Sequence, residues 1–419
     1  MMTQAFYTGI SGLKNFSSGI DVVSDNLANI NTVGFRGYNA EFASLFEQRI
    51  NTDAAVDTDS NSVGYGVRLQ GTSMIESNGS LLLSDRSTDL ALLGDGWFGV
   101  QAEGKPLYTR DGAFGFDASN DLVSGDGFHV LGTMGKNIDG NNTLTQPLDT
   151  IELGDVTAQE KLRFPNTLTY PAQPTTKASF MANVGVGPEP VTISAGVIDG
   201  NGVKNNLKLT FTKDATQTPP GTQWSVLAEL KSPEGVLYDT QKGSVNFDGS
   251  GALESTTLTS INNNGSPVAI DLGTEFSGIV SIDVPLVSGS SNADGMPAGE
   301  LVDYTINKDA EVIATFTNGM QSSVGKIAVY HFQNNQGLER ISGSRFSQSD
   351  NSGKPLFFQD ENGKNITGAD VINYKLEGAN YDMASGLTEL IILQRAYDAS
   401  SKLVTTADQM MQKALDMDA

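Results

Sequence analysis

The 419-residue chain has no cysteine, which excludes a disulfide framework and a thiol nucleophile. Histidine is almost as scarce: there are two, His129 and His331. Each lies in a strand-like run with no HExxH pattern and no second histidine nearby, so both are expected to be structural and no metal site or cofactor is expected. Basic residues are outnumbered 26 to 49, for a formal net charge of -23. Such a surface repels nucleic acid and anionic membranes at long range, and neither is an expected partner. No run approaches eighteen uninterrupted apolar residues, and no basic start leads into an apolar stretch with a small-residue cleavage site. A membrane span and a cleaved signal peptide are therefore not expected.

What the chain does have is helical periodicity at its two ends. From Thr3 to Ile30, the apolar residues Ile10, Leu13, Phe16, Ile20, Val23, Leu27 and Ile30 recur every three or four positions, as on one face of a helix. The stretch DNLANINTVGFRG, Asp25 to Gly37, then weakens the helix with Asn29 and Asn31 and offers Gly34 and Gly37 where a positive φ is cheap. A helix ending by about Asn31 is predicted, followed by an exposed turn carrying Phe35 and Arg36. At the other end Leu393, Ala396, Ser400, Leu403, Ala407, Met410, Ala414 and Met417 form one line. A second line runs through Leu390, Tyr397, Val404 and Met411, and together they make a broad stripe on a helix of roughly thirty residues.

That stripe is wider than a single helix–helix seam needs. Burying seven such side chains is worth roughly 10–20 kcal/mol gross, much of it offset by ordering costs. The terminal helices are therefore expected to pair with each other and then with copies of themselves. The simpler alternative is that they pack only within a monomer. For Arg36 two readings stand: a solvated turn residue, or an intersubunit anchor in which Phe35 supplies apolar area and the guanidinium grips a carboxylate.

Between the helices, Gly, Ser, Thr, Asn and Asp punctuate short alternating runs. LLLSDRSTDLALLGDGWFGVQ, Leu81 to Gln101, reads as short strands with a turn at Gly94 to Gly96. KASFMANVG, NNLKLTFTK and TQWSVLAEL are strands of a second β region, led in by YPAQPTT. VDYTINKDAEVIATFTNGMQSSVGKIAVYHF, Val302 to Phe332, then resumes the first pattern. The expected fold is mainly β with long N- and C-terminal α-helices, multidomain, with an outer β domain nested by insertion into an inner β domain. The expected boundaries are 1–35 and 376–419 for the helical domain, 36–75 for a connecting segment, 76–145 and 301–375 for the inner β domain, and 146–300 for the insertion.

Acidic residues give little chemistry. Asp53, Asp57 and Asp59 lack the glycine and closing glutamate of a calcium loop. Asp85, Asp89, Asp95, Asp111 and Asp117 could in principle pair as in a glycosidase, but turns enrich aspartate for local reasons. The GDG runs at Gly94 and Gly125 lack a strand-to-helix context and read as turns. No enzymatic activity is expected.

SGLKNFSSGIDVVSDNLANINTVGFRG from Ser11, GDGWFGVQ from Gly94, YTRDGAFGFDASNDLVSGDGFHVLG from Tyr108 and LEGANYDMASGLTELIILQRAYDASSKLVTTADQMM from Leu376 resemble, in order, the signatures of the bacterial flagellar rod and hook axial proteins. Leu13, Val23, Asn26, Ala28, Asn29, Asn31, Thr32, Gly34 and Phe35 fall on the first pattern. Leu376, Glu377, Asn380, Leu390, Gln394, Arg395, Tyr397 and Asp408 fall on the last, while Tyr381 and Asp398 depart from it. The resemblance implies an axial component of the flagellum, exported by the type III apparatus and polymerising with itself around a channel lined by the helices. An inserted domain of about 150 residues fits the hook-type members, whose curved tube would act as a universal joint between rod and filament. Distal rod, hook cap and hook–filament junction proteins are then the implied partners. A distal-rod-like stiff tube is the nearest alternative, and a secreted polysaccharide-binding or glycoside-processing β protein is the alternative of another class.

Overall fold

The computed structural model describes residues 2–45, 47–49, 62–102, 104–284 and 289–417. Two long helices bracket the described chain, α1 at Met2–Ala28 and α2 at Met383–Met417. Helix α1 stops just short of the expected end because the Asn29 side chain turns back to the Asp25 carbonyl at 2.9 Å, and the Thr32 amide donates to the Asn29 carbonyl at 2.9 Å. Asparagine competes here with the helix's own backbone bonds. Helix α2 begins at an aspartate cap, the Asp382 carboxylate accepting from the Ser385 amide at 2.8 Å.

After α1 the chain forms an antiparallel hairpin of Tyr38–Ser44 and Val67–Met74, paired from Tyr38↔Met74 to Ser44↔Val67 with a bulge at Glu41/Phe42. The hairpin runs along α1. Asn15 anchors it, donating to the Val67 carbonyl at 2.8 Å and accepting from the Leu69 amide at 2.7 Å. The Phe16 and Phe42 rings meet at 5.8 Å. The expected connecting segment is thus, where described, a paired element that stiffens the helix.

The inner body is a mostly antiparallel sheet network around Leu90, Phe98, Phe114, Val130, Phe164, Tyr170, Val312 and Val324. Its central strand, His129–Met134, pairs with Trp97–Gln101 on one side and Gln321–Ile327 on the other. Residues from before and after the insertion therefore share one sheet, the nested order read from the returning alternation.

The outer body stacks two sheets. One is the five-stranded antiparallel series Val191–Ile198, Lys204–Lys213, Thr222–Lys231, Leu237–Phe247 and Leu253–Thr256. Its alternation sends Leu207, Leu209, Phe211, Trp224, Val226 and Leu230 to the core and the intervening residues outward. In the other, Lys177–Asn183 runs parallel to Ser266–Asp271 and to Ile279–Val280, a pairing that a chain of simple hairpins would not give.

The change from inner to outer body falls later than the expected residue 146. Glu160–Lys161 pairs with His129–Met134, and Thr169–Tyr170 pairs with Gly299–Ile306. Leu162, Phe164, Leu168 and Tyr170 fill the inner core. Their apolar spacing continues the inner pattern past a turn-rich stretch that looks like a boundary. The passage is instead 171–176, where Pro171 and Pro174 suppress ladder bonds and Gln173 bridges Met296 on the returning strand.

Candidate assembly site

Helices α1 and α2 pack through small residues. A Cβ on Gly9 would sit 2.6 Å from Val404 Cγ2, and one on Gly12 would sit 2.6 Å from Ser400 Oγ. One on Gly19 would press Leu393 at 3.3 Å and Phe42 of the hairpin at 2.8 Å, while Gly386 admits Tyr381 and Leu27. These glycines let the helix axes approach more closely than bulky seams allow. The sequence reading followed the large apolar residues and missed them; the recurrence of Gly9, Gly12 and Gly19 on one face was the available signal.

A narrow seam covers only part of the stripe. Val23, Leu393 and Ala407 are buried, and Leu13, Phe16, Ile20, Leu27, Ile30, Leu390, Val404 and Met411 are half-buried. Ile10, Tyr397, Leu403 and Met410 remain exposed, as do Met383, Leu387, Ile391 and Ile392. Of the four expected residues in that exposed set, Leu403 touches the seam at its margin, its Cδ2 lying 3.5 Å from where a Cβ on Gly9 would be, and still leaves much of its side chain open.

The turn at Gly34, Phe35, Arg36 and Gly37 is not the exposed one predicted. Phe35 is 2% and Arg36 3% exposed. Arg36 Nη2 lies 3.2 Å from Glu377 Oε1, and Arg110 Nη1 lies 3.2 Å from Glu377 Oε2. Arg36 also donates to the Ser77 carbonyl and to Asn78 Oδ1, and Arg110 donates to the Gly94 carbonyl at 2.6 Å. Both guanidinium carbons stand about one ring-width from Trp97, at 6.0 and 5.8 Å from its centroid. Burial lowers the pKa of both arginines, Arg110 to about 10, with the Glu377 charge opposing the shift. Arg110 therefore stays cationic at neutral pH, and the two guanidinium groups share one buried carboxylate.

Backbone contacts complete this rivet. Gly34 has φ +66, donates to the Glu377 carbonyl at 2.7 Å, and would place a Cβ 2.3 Å from the Asp111 amide nitrogen. Asn380 accepts from the Gly37 amide at 2.8 Å and donates to the Ile75 and Ser77 carbonyls. Asn26 exchanges two bonds with the Tyr38 backbone. Over Phe35 lies the Arg340 guanidinium, 4.9 Å from the ring centroid and 2.7 Å from Asp25 on α1. The intersubunit-anchor reading of Phe35 and Arg36 is thereby corrected: the carboxylate that Arg36 grips belongs to its own chain. The site fixes the helix pair to the inner body.

The other candidates sit in local structure. His331 Nε2 lies 2.7 Å from the Thr367 carbonyl, and the ring stacks on Phe358 at 4.1 Å. Its Nδ1 faces Asp95, whose carboxyl is held below the usual range chiefly by that histidine. Asp117, Asp121 and His129 could bring ligand atoms within 4.8 Å of one another. However, Asp121 is already gripped by Arg163 at 2.6 Å and Lys161 at 3.0 Å, which hold its pKa down and leave little negative charge for a cation. Asp89 takes the Ser84 hydroxyl and Arg86, while Asp111 and Asp117 accept backbone amides within their turns; Asp85 lies in the bend after Leu81–Leu83. Asp53, Asp57 and Asp59 lie outside the described residues. No helix among the described residues is long and apolar enough to cross a membrane.

Three family models match the chain. "Flagella basal body rod protein" covers residues 6–36, "Flagellar hook protein FlgE/F/G D1 domain" covers 91–161, and "Flagellar basal body rod FlgEFG protein C-terminal" covers 373–417. These stretches carry Arg36, Arg110 and Glu377 respectively. The flagellar hook protein FlgE of Borreliella burgdorferi is 28% identical over 98% of this chain and 99% of that protein. Along nearly its whole length the chain is similar to flagellar hook proteins, and at both ends and in the inner body it matches the rod and hook family models. FlgE of Treponema pallidum is 25% identical over 99% of this chain and 100% of its own, and FlgE of Escherichia coli 26% identical over the same shares. Among solved structures, the flagellar hook protein FlgE2 of Helicobacter pylori aligns at TM-score 0.48 and 16% identity, over 71% of this chain and 100% of that one.

Proposed function

We propose that the chain is a structural subunit of the flagellar hook, polymerising into a curved hollow tube that transmits torque from rod to filament as a universal joint. The observation that carries this is the apolar face of α1 and α2 left uncovered within the subunit, Ile10, Leu387, Ile391, Leu403 and Met410, in a chain whose relatives named as hook proteins align from end to end. In the tube, copies of the helix pair cover that face and form the inner layer, the inner β body surrounds them, and the outer body of 177–293 lies outermost. The rivet makes each subunit's helix and inner body one rigid lever. Bending is then taken up between subunits, where contacts can exchange.

The remaining parts of the reading follow from the same role: no catalysis, a place in the extracellular hook, export through the type III apparatus without a cleaved signal, and contacts with distal rod, hook cap and hook–filament junction proteins. The test uses Ile391→Asp and Met410→Asp. Both positions are exposed, so monomer stability should change by less than about 0.5 kcal/mol. Cap- or seed-driven assembly, followed by sedimentation, should be lost in both; assembly at the parent rate would refute the role given to this face.

A further inference from the structure

The strand Leu81–Leu83 stands at the foot of α2. It pairs on one side with Lys375–Glu377, in the register Leu82↔Leu376, and its other edge has no strand partner among the described residues. All three leucines are exposed, Leu83 by 86%. Leu93 and Tyr374, also exposed, extend the apolar surface along neighbouring strands. Edge strands of proteins that act alone are usually blunted by lysine, proline or a bulge. Here Leu-Leu-Leu carries none of these. Contiguous apolar patches of roughly 300–600 Å² are the largest on typical monomers and are often contact sites.

The patch continues into α2. Only residues 378–382 separate Lys375–Glu377 from the helix, and Leu82 Cδ1 lies 3.5 Å from where a Cβ on Gly378 would be. Beyond them Met383, Leu387 and Ile391 follow at four-residue steps, all exposed. The N-terminal end of that stripe is thus separated by five residues along the chain from the strand that pairs with the leucine edge. The edge is also held rigidly: Glu377, in the paired strand, is the carboxylate gripped by Arg36 and Arg110, so little ordering cost remains on docking.

We propose that Leu81–Leu83 is a docking edge for a second copy of this chain seated on the outer stripe of α2, an inference that rests on the hook-subunit reading above. A copy is the occupant because the band is continuous with the helix stripe that copies cover in a homopolymer. A flat leucine edge without convergent polar atoms gives a small ligand nothing to orient it.

The absence of native cysteine makes single-thiol footprinting clean. Leu83→Cys, Leu82→Cys and, as a control for the helix stripe, Ile391→Cys are placed singly in the full chain. Their rates of maleimide modification are compared in monomer and in sedimented polymer. Protection of at least tenfold at positions 82 and 83 on assembly is expected. If Leu83→Cys blocks assembly while its monomer unfolds as the parent does and Leu82→Cys is protected, the docking edge is likewise supported. Polymer in which 391 is protected but 82 and 83 react within twofold of the monomer overturns the docking edge and leaves the hook reading standing. A parent chain that forms no polymer even when seeded overturns both.

Discussion

Removing the Glu377 carboxylate should loosen the helix pair from the inner body. In Glu377→Ala, Arg36 and Arg110 lose the one charge they share, in a place where side chains are 2–3% exposed. Taking one partner from a buried ion pair costs about 3–5 kcal/mol, and here two cations are stranded. With urea slopes of about 1–3 kcal/mol/M, the local unfolding midpoint should fall by more than about 1 M. The chain supplies a probe, since one of its two tryptophans, Trp97, lies against both guanidinium groups while Trp224 is buried in the outer core. In a Trp224→Phe background, Trp97 emission reports the rivet and the inner core around it without the outer body. The triple variant Arg36→Met, Glu377→Leu, Arg110→Met should recover part of the loss, since replacing a whole buried charge set by apolar residues is often near neutral. Recovery stays partial because the Ser77 and Gly94 carbonyls lose their donors. A Glu377→Ala midpoint within about 0.3 M of the parent would refute the idea that this carboxylate holds the two bodies together.

Gly34→Ala should destabilise by about 2 kcal/mol or more, because it combines a positive φ with a Cβ 2.3 Å from the Asp111 amide nitrogen; thermal unfolding followed by Trp97 emission checks this. Gly12→Val should push α2 away, since the added carbons meet Ser400, and should lower helical circular dichroism without altering the melting of the outer body read through Trp224. Asp121 has a folded pKa depressed by Arg163 and Lys161. Its contribution to stability is therefore present above the unfolded value of about 3.9 and is lost as pH falls below it. Asp121→Asn should accordingly be less stable than the parent at pH 6, with the gap closing in acid, as measured by urea unfolding at each pH.

Period and turn chemistry made much of the architecture readable. Six of the seven apolar positions read at the N-terminus fall in α1, with Ile30 just past its end, and like the stripe on α2 they are strong 3.6-residue signals; Gly94–Gly96 with KASFMANVG and TQWSVLAEL mark strands and turns that the structure forms. The seam glycines escaped because small residues contribute nothing to a hydrophobic pattern; what matters about Gly9 or Gly12 is what cannot fit there. Phe35 and Arg36 were misread for a different reason. Flanking glycines and asparagines announce a turn, yet a turn can be buried when its donors and acceptors are met by distant residues, here Glu377 and Asn380. Those partners lie more than 300 positions away, where local pattern carries no information. The start of the outer body was misplaced because Leu162, Phe164, Leu168 and Tyr170 sit in loop-rich sequence, and only tertiary packing assigns them to the inner core.

The most direct test of the central claim is electron cryo-microscopy of the full-length chain assembled from a hook cap or preformed seed, beside a chain lacking residues 1–30. The account predicts a hollow, curved tube with α1 and α2 around its lumen, Ile391 and Met410 at contacts between copies, and no tube from the truncated chain. A straight, stiff tube would move the assignment toward a rod-like role. A seeded chain that stays monomeric, or a tube whose lumen is lined by the β bodies with both helices outside, would contradict the account.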